Sequence, residues 1–430
     1  MRGSLIDSIF KHNVIFSYGT QVLGLAAGFV FVTIITRYSG IDIYGMIAMM
    51  MAVSGTITQL LTFRTNESVV NFYKIGEEEE NLGLCRMALL YGLVLDIVVG
   101  LVILIAIHVI SYDIAEKLLK YPGAASGVGI FAIFMFVNFL RGTPIGLLMA
   151  EERFRLINIL NLLERLLKIL LLAFVVWINI PLSFDNIMWI LLISATIITV
   201  ILYSFPLVKL FGPLRKAVTQ SGFFGRYLRF STSTFISSSL KAGSRHLDSI
   251  ILGYLTNPSI VGIYNLFRQF LSPIPLLAEP FRLQIYPRFV QAVSRKNPDG
   301  ITVTISHTNR ILIAGNVGIL ILVTSLMVGY SYWLDLNLGL QHYVLYALMA
   351  LSALIIQRLW WSRPFSIAIN PAMSVHAGLL TTLILPVMVF LLVSTMGFVG
   401  VGYGVLITYL IMYMFWQNKL KRVQVLVENV

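Results

Sequence analysis

The chain has 430 residues, of which 58% are hydrophobic and only 12% charged, with a mean hydropathy of +0.86, whereas soluble domains carry roughly a quarter charged residues. This excludes a soluble globular protein and puts the chain in a bilayer. At about 20 to 25 apolar residues per helical span, twelve spans consume roughly 265 residues and leave connections too short for a separate enzymatic domain.

Apolar runs between polar punctuation predict spans near 13–36, 43–63, 87–111, 126–149, 157–179, 187–209, 229–255, 262–284, 306–329, 341–360, 372–394 and 397–417. The first of these is longer than the 7 to 15 apolar residues of a signal-peptide core, so it reads as a retained span. Between the sixth and seventh lies a basic, aromatic joint from Phe211 to Phe230, suited to the membrane interface or to a lipid headgroup. It divides the chain into a six-helix half over 1–210, a linker over 211–228 and a second six-helix half over 229–430.

The net charge of +12 would suggest nucleic acid in a soluble protein; here the loops explain most of it. Tails and joins on the side of the N-terminus hold 21 Lys and Arg, the opposite joins hold three, and both termini are therefore expected in the cytoplasm. A repeat accompanies this layout. Ile41-Asp42-Ile43-Tyr44-Gly45 is echoed by Val261-Gly262-Ile263-Tyr264-Asn265, an offset of 220 residues that maps the first span onto the seventh. Two halves of six spans enter from the same side, which predicts a parallel repeat about an axis along the membrane normal, with a substrate site between the halves.

Seven cations remain inside spans: Arg141, Arg165, Lys168, Lys241, Arg245, Arg268 and Arg310. With them are four acids, Asp96, Glu164, Asp248 and Glu279. Ionisable groups near mid-bilayer cost about 2.5 to 3.5 kcal/mol each on insertion scales, so they pair, face water or mark a site. Lys241, Arg245 and Asp248 are spaced to share one helical face, either as an anion site or as an Arg245–Asp248 strut. Glu164 and Lys168 form an i, i+4 pair. Arg141, just before Pro144, has no acid within helical reach and needs a partner from another helix or a ligand. Arg268 precedes Pro273, Pro275 and Pro280, whose freed carbonyls require a cavity; Arg310 is close enough to a span end to snorkel. The cationic surplus favours an anion, and a diphosphate is one that Arg and Lys bind well.

Other chemistry is sparse. Cys85 is the lone cysteine and the six histidines have no metal-ligand spacing, so no metal or cofactor is expected; His246, beside Arg245, is the one candidate proton carrier. Nucleotide-binding and hydrolase motifs are missing from the sequence.

Leu247-Asp248-Ser249-Ile250-Ile251-Leu252-Gly253-Tyr254-Leu255, followed by Val261-Gly262-Ile263-Tyr264 and a proline-rich span, resembles the polysaccharide flippases of the multidrug/oligosaccharidyl-lipid/polysaccharide exporter superfamily. Ile34 to Tyr38 leading to Ile43-Tyr44-Gly45 is similar to that family in the first half, and the resemblance covers essentially the whole chain. It implies an all-α integral membrane transporter that moves a polyprenyl-diphosphate-linked glycan to the outer leaflet of a cell inner membrane for O-antigen, capsule or exopolysaccharide biosynthesis. It also implies a polysaccharide polymerase and a chain-length regulator as partners, and no nucleic acid. The family's cationic cavity would correspond to Arg141, Lys168, Lys241, Arg245, Arg268 and Arg310, assigned by charge, while Asp248 matches a recurring motif position; Asp248 and Glu279 are the acids suited to ion coupling. A cation-coupled multidrug exporter and an intramembrane polymerase are the alternatives. The first would favour an acidic cavity and the second a large external loop.

Overall fold

The computed structural model describes residues 2–211, 222–242, 246–276, 278–370 and 372–422, and among them the regular structure is entirely helical. Packing divides the chain into two compact units, Met1–Ser239 and Leu240–Val430. The first holds α1 (Arg2–Leu61), α2 (Thr65–Glu78), α3 (Leu82–Val109), α4 (Ser111–Asp113), α5 (Ala125–Phe139), α6 (Gly142–Ala150), α7 (Phe154–Trp177), α8 (Phe184–Phe211) and most of α9 (Phe223–Ala242). The second holds α10 (Leu247–Leu255), α11 (Pro258–Leu271), α12 (Pro273–Leu276), α13 (Glu279–Ser294), α14 (Pro298–Trp333), α15 (Leu340–Gln357), α16 (Ser362–Ile369), α17 (Ala372–Met396) and α18 (Val399–Lys421). Most of the basic joint, 212–221, lies outside the described residues.

Among the described residues, eight helical stretches are long and apolar enough to cross a bilayer. The twelve spans of the sequence reading emerge when broken or charged helices are added. Gly40 (φ 87°, ψ 168°) separates two spans inside α1. That backbone region is essentially restricted to glycine, and since a Cβ there would meet nothing within 4 Å, conformation alone demands the residue. Helix α7 is long enough to span but carries Glu164, Arg165 and Lys168 in its middle, and the seventh and eighth spans are divided into α9–α10 and α11–α12.

The helices are built for lipid. On α3 the buried face is Gly92, Asp96, Gly100, Ile103 and Ile107, while Leu90, Val94, Val98, Leu101 and Ile105 point outward. Small or polar residues inside and large apolar ones outside are expected where lipid gives helices no hydrophobic drive to associate. Helix α18 approaches α17 through Gly400 and Gly404. A Cβ at Gly400 would stand 2.1 Å from the Leu392 carbonyl oxygen, and one at Gly404 2.9 Å from Val389 Cα. Helix α2 is amphipathic, burying Thr65, Ser68, Val69, Phe72, Tyr73 and Gly76 at helical spacing, with Val69 and Tyr73 packed on Cys85, Leu89, Leu147 and Ala150.

The 220-residue offset reaches well beyond the tyrosine echo. It carries Pro144 onto Pro364 and α6 onto α16, so each unit breaks a span within two residues of the corresponding place, after Phe139 in one and after Gln357 in the other.

Candidate functional site

The break between α5 and α6 follows from Pro144. Proline lacks the N–H that would bond the carbonyl four residues back, and its ring clashes with that carbonyl, so Leu140 C=O is released. Tyr203 on α8 donates its hydroxyl to that oxygen at 3.1 Å. The Thr143 N–H, also released from helical pairing, donates to Asp96 Oδ2 at 2.7 Å. A second break, between α1 and α2, leaves Arg64 in the left-handed region (φ 50°) and delivers Thr65, whose hydroxyl donates to Asp96 Oδ1 at 2.5 Å. Asp96, only 4% exposed at the centre of α3, thus ties two interrupted helices together. Gly142 permits the approach: a Cβ there would sit 2.1 Å from Thr65 Oγ1 and 2.7 Å from Asp96 Oδ1.

One residue before Gly142, Arg141 turns the other way into a buried network. Its Nη1 donates to Glu164 Oε2 at 2.6 Å, its Nε to Thr199 Oγ1 at 2.8 Å and its Nη2 to the Ala195 carbonyl at 2.7 Å. Lys168 Nζ reaches Glu164 Oε1 at 2.6 Å. One carboxylate therefore serves two cations, and the triad keeps a net positive charge. Arg141 found its partner on another helix, and Glu164–Lys168 is the pair its spacing implied. Arg165, next along α7, is exposed, with its guanidinium against Gly24 of α1.

Thr65, Asp96, Arg141 and Gly142 border a cavity of about 450 Å³ inside the first unit. Asp96, Arg141 and Arg64 contribute charge, Gln59, Asn66 and Asn138 contribute amides, and Phe63, Phe134 and Phe139 contribute rings. Irregular backbone at this depth is tolerated where it lines such a cavity.

The second unit carries a separate cluster. Asp248 on α10 is 6% exposed; it accepts the Tyr264 hydroxyl at 2.5 Å and the Ser249 N–H at 2.8 Å, with Arg268 Nη1 at 3.5 Å. Helix α11 sets this up. Asn257 caps its N-terminus by accepting from Ile260 N at 3.0 Å, Pro258 occupies the first turn, and Tyr264 and Arg268, four residues apart, share a face. Helix α10 begins at Leu247 behind His246, whose φ of −127° is not helical. The face shared by Lys241, Arg245 and Asp248, which presumes one continuous helix, is therefore not inherited from their spacing. Arg245 and the side chains of Lys241 and Glu279 lie outside the described residues. Arg310 is exposed on α14.

Asp96 and the cavity amides were not selected as site residues from the sequence. For Asp96 the signal existed, since it is an acid at mid-span with no cation within four residues on its own helix, the same reasoning that singled out Arg141. The amides are uncharged, and a charge-based search passes over them.

A family model described as "Polysaccharide biosynthesis protein" matches residues 10–293. The chain belongs to this family. No match is found among curated proteins. Solved structures share the fold of this polysaccharide-biosynthesis family member at low identity. An inward-facing multidrug resistance MATE family transporter of the MOP superfamily aligns with a TM-score of 0.75 at 11% identity, covering 93% of this chain and 95% of that one. The lipid II flippase MurJ in an inward closed conformation aligns with a TM-score of 0.69 at 14% identity, covering 95% and 87%. A MOP superfamily transporter from Pyrococcus furiosus aligns with a TM-score of 0.56 at 11% identity, covering 96% of both chains. The family member is thus an all-α, multi-pass membrane protein with the MOP transporter fold.

Proposed function

We propose that this family member is a flippase that moves a polyprenyl-diphosphate-linked oligosaccharide from the cytoplasmic to the outer leaflet of the inner membrane, by alternating access of its two six-helix halves. It does so for surface polysaccharide biosynthesis, with both termini in the cytoplasm, and hands its cargo to a polysaccharide polymerase and a chain-length regulator. The observation that carries the reading is Arg141: a buried guanidinium on the wall of a cavity, in a triad with a net positive charge. Three of its five N–H groups are engaged by Thr199, Glu164 and Ala195, which leaves two for a ligand. Lys168, Lys241, Arg245, Arg268 and Arg310 are the further cations suited to the substrate, and Asp248 and Glu279 the acids suited to coupling.

The experiment is transport itself. Replacing Lys241 and Arg245 together with Gln is expected to cut delivery of surface polysaccharide in cells at least tenfold while lipid-linked glycan accumulates inside. Unchanged surface polysaccharide at normal expression overturns the assignment of those two cations. Asp96 in the cavity wall favours a second reading, export of a cationic drug. Increased sensitivity to cationic dyes on deletion, with surface polysaccharide unaffected, would select it.

A further inference from the structure

We infer that the cavity of the first unit is a carbohydrate subsite, which receives part of the glycan and leaves the diphosphate to cations elsewhere. The inference rests on the flippase reading and names what one part of the molecule recognises.

Electrostatics come first. Arg64 is paired with Glu67 at 3.3 Å, and Glu164, 2.6 Å from Arg141, is shared with Lys168, so the single net positive charge of that triad is offset on the wall by the carboxylate of Asp96. That Asp96 carboxylate has no ion pair among the described residues. A diphosphate placed here would find no net positive charge and a carboxylate of its own sign, and like charges in a low-dielectric site repel strongly, whereas the two unengaged N–H groups of Arg141 can donate to sugar hydroxyls.

Hydrogen-bonding capacity points to hydroxyl groups. Each carboxylate oxygen of Asp96 accepts one bond from the protein and can accept another. Asn138 gives one Nδ2 hydrogen to the Phe134 carbonyl at 2.8 Å, which leaves its second N–H as a donor and its Oδ1 as an acceptor. Gln59, Asn66 and Thr58 add donors and acceptors. Such a mixture suits a polyol, in which every hydroxyl both donates and accepts, better than it suits a bare anion. The rings of Phe134 and Phe139 on the same wall offer flat apolar surfaces for the C–H faces of a sugar. A volume of about 450 Å³ lies low in the range of small-molecule sites, about 300 to 1,000 Å³, which admits a small carbohydrate and not a whole oligosaccharide.

The test uses the full chain in lipid nanodiscs and two probes: bare undecaprenyl diphosphate, and undecaprenyl-diphosphate-linked glycan extracted from cells deleted for this chain. The variants are Gln59→Ala with Asn138→Ala, and Thr58→Val, a near-isosteric change at an exposed position that removes one hydroxyl. The expected result is that wild type binds the glycan-bearing lipid more tightly than the bare one. The double variant should weaken the glycan-bearing lipid about tenfold, Thr58→Val should weaken it in the same direction, and affinity for the bare lipid should not move. Equal wild-type affinity for both probes, equal loss on both, or no loss on either overturns the subsite. A wild-type protein that binds neither probe overturns the flippase reading itself. If the double variant fails to fold, Thr58→Val alone decides.

Discussion

Asp96 holds two backbone discontinuities with one carboxylate, and the consequences of its replacement are graded. Removing the acceptor strands the Thr143 N–H and the Thr65 hydroxyl, both on buried residues, and each orphaned group costs about 1 to 3 kcal/mol. Asp96→Ala should therefore lower the thermal unfolding midpoint of the purified protein markedly. Asp96→Asn, which keeps one oxygen, should lower it less, and equal midpoints for the two variants would refute this account. Glu164 poses a similar problem with charge. Its conversion to Gln leaves Arg141 and Lys168 adjacent without a counter-ion, and breaking a buried pair typically costs about 3 to 5 kcal/mol. The double change Glu164→Gln with Lys168→Met relieves the repulsion and should melt above Glu164→Gln alone. The sequence made half of this triad legible: Glu164 and Lys168 are a turn apart on one helix, a spacing that is itself a contact. The other half is 23 residues away in sequence, and nothing local to Arg141 identifies α7 as its neighbour.

At the scale of the element, Pro144 shows what a break costs and how the fold offsets it. That a proline interrupts a span is readable from sequence. That the freed Leu140 carbonyl is met by Tyr203, 63 residues on, is not, because it depends on α8 packing beside α5. The two residues should accordingly be coupled. Tyr203→Phe in the wild-type background leaves a carbonyl unsatisfied and should cost about 1 to 3 kcal/mol. In a Pro144→Ala background a helical N–H is again available to Leu140 C=O, and the same change should cost less. A double-mutant cycle read by thermal or denaturant unfolding is expected to give a coupling of at least about 0.5 kcal/mol; strict additivity would mean the tyrosine caps nothing that proline exposed. Gly40 illustrates the opposite limit. Its backbone angle is invisible to hydropathy, which counts apolar residues, and although the spans at 13–36 and 43–63 leave a connection there, it is the glycine's φ of 87° that makes the turn possible.

Across the whole molecule, the repeat at 220 residues lets each unit serve as a control for the other. The shared feature is mechanical: Pro144 and Pro364 break equivalent spans. The chemistry around the breaks has diverged. Arg141, Thr65 and Glu164 answer to Trp361, Ile285 and Ile384, so the joint that is polar and ionic in the first unit is apolar in the second, where Trp360, Trp361, Phe289 and Phe365 form a buried cluster. Asp96 answers to Asn316, also buried at 5% exposure, and the Asn316 Oδ1 has no hydrogen-bond partner among the described residues. An acid in one copy holds two donors; an amide in the other has an idle acceptor. Opposite responses to the same substitution follow. Asp96→Leu strands two donors and should destabilise the protein, whereas Asn316→Leu removes a polar group whose acceptor has already lost its water, a change that is close to neutral or stabilising. Asn316→Asp, by contrast, buries a charge in an apolar setting and should lower the midpoint. Thermal unfolding of the three variants in nanodiscs checks the set, and a midpoint for Asn316→Leu as low as that for Asp96→Leu would show that the two units still use this position alike.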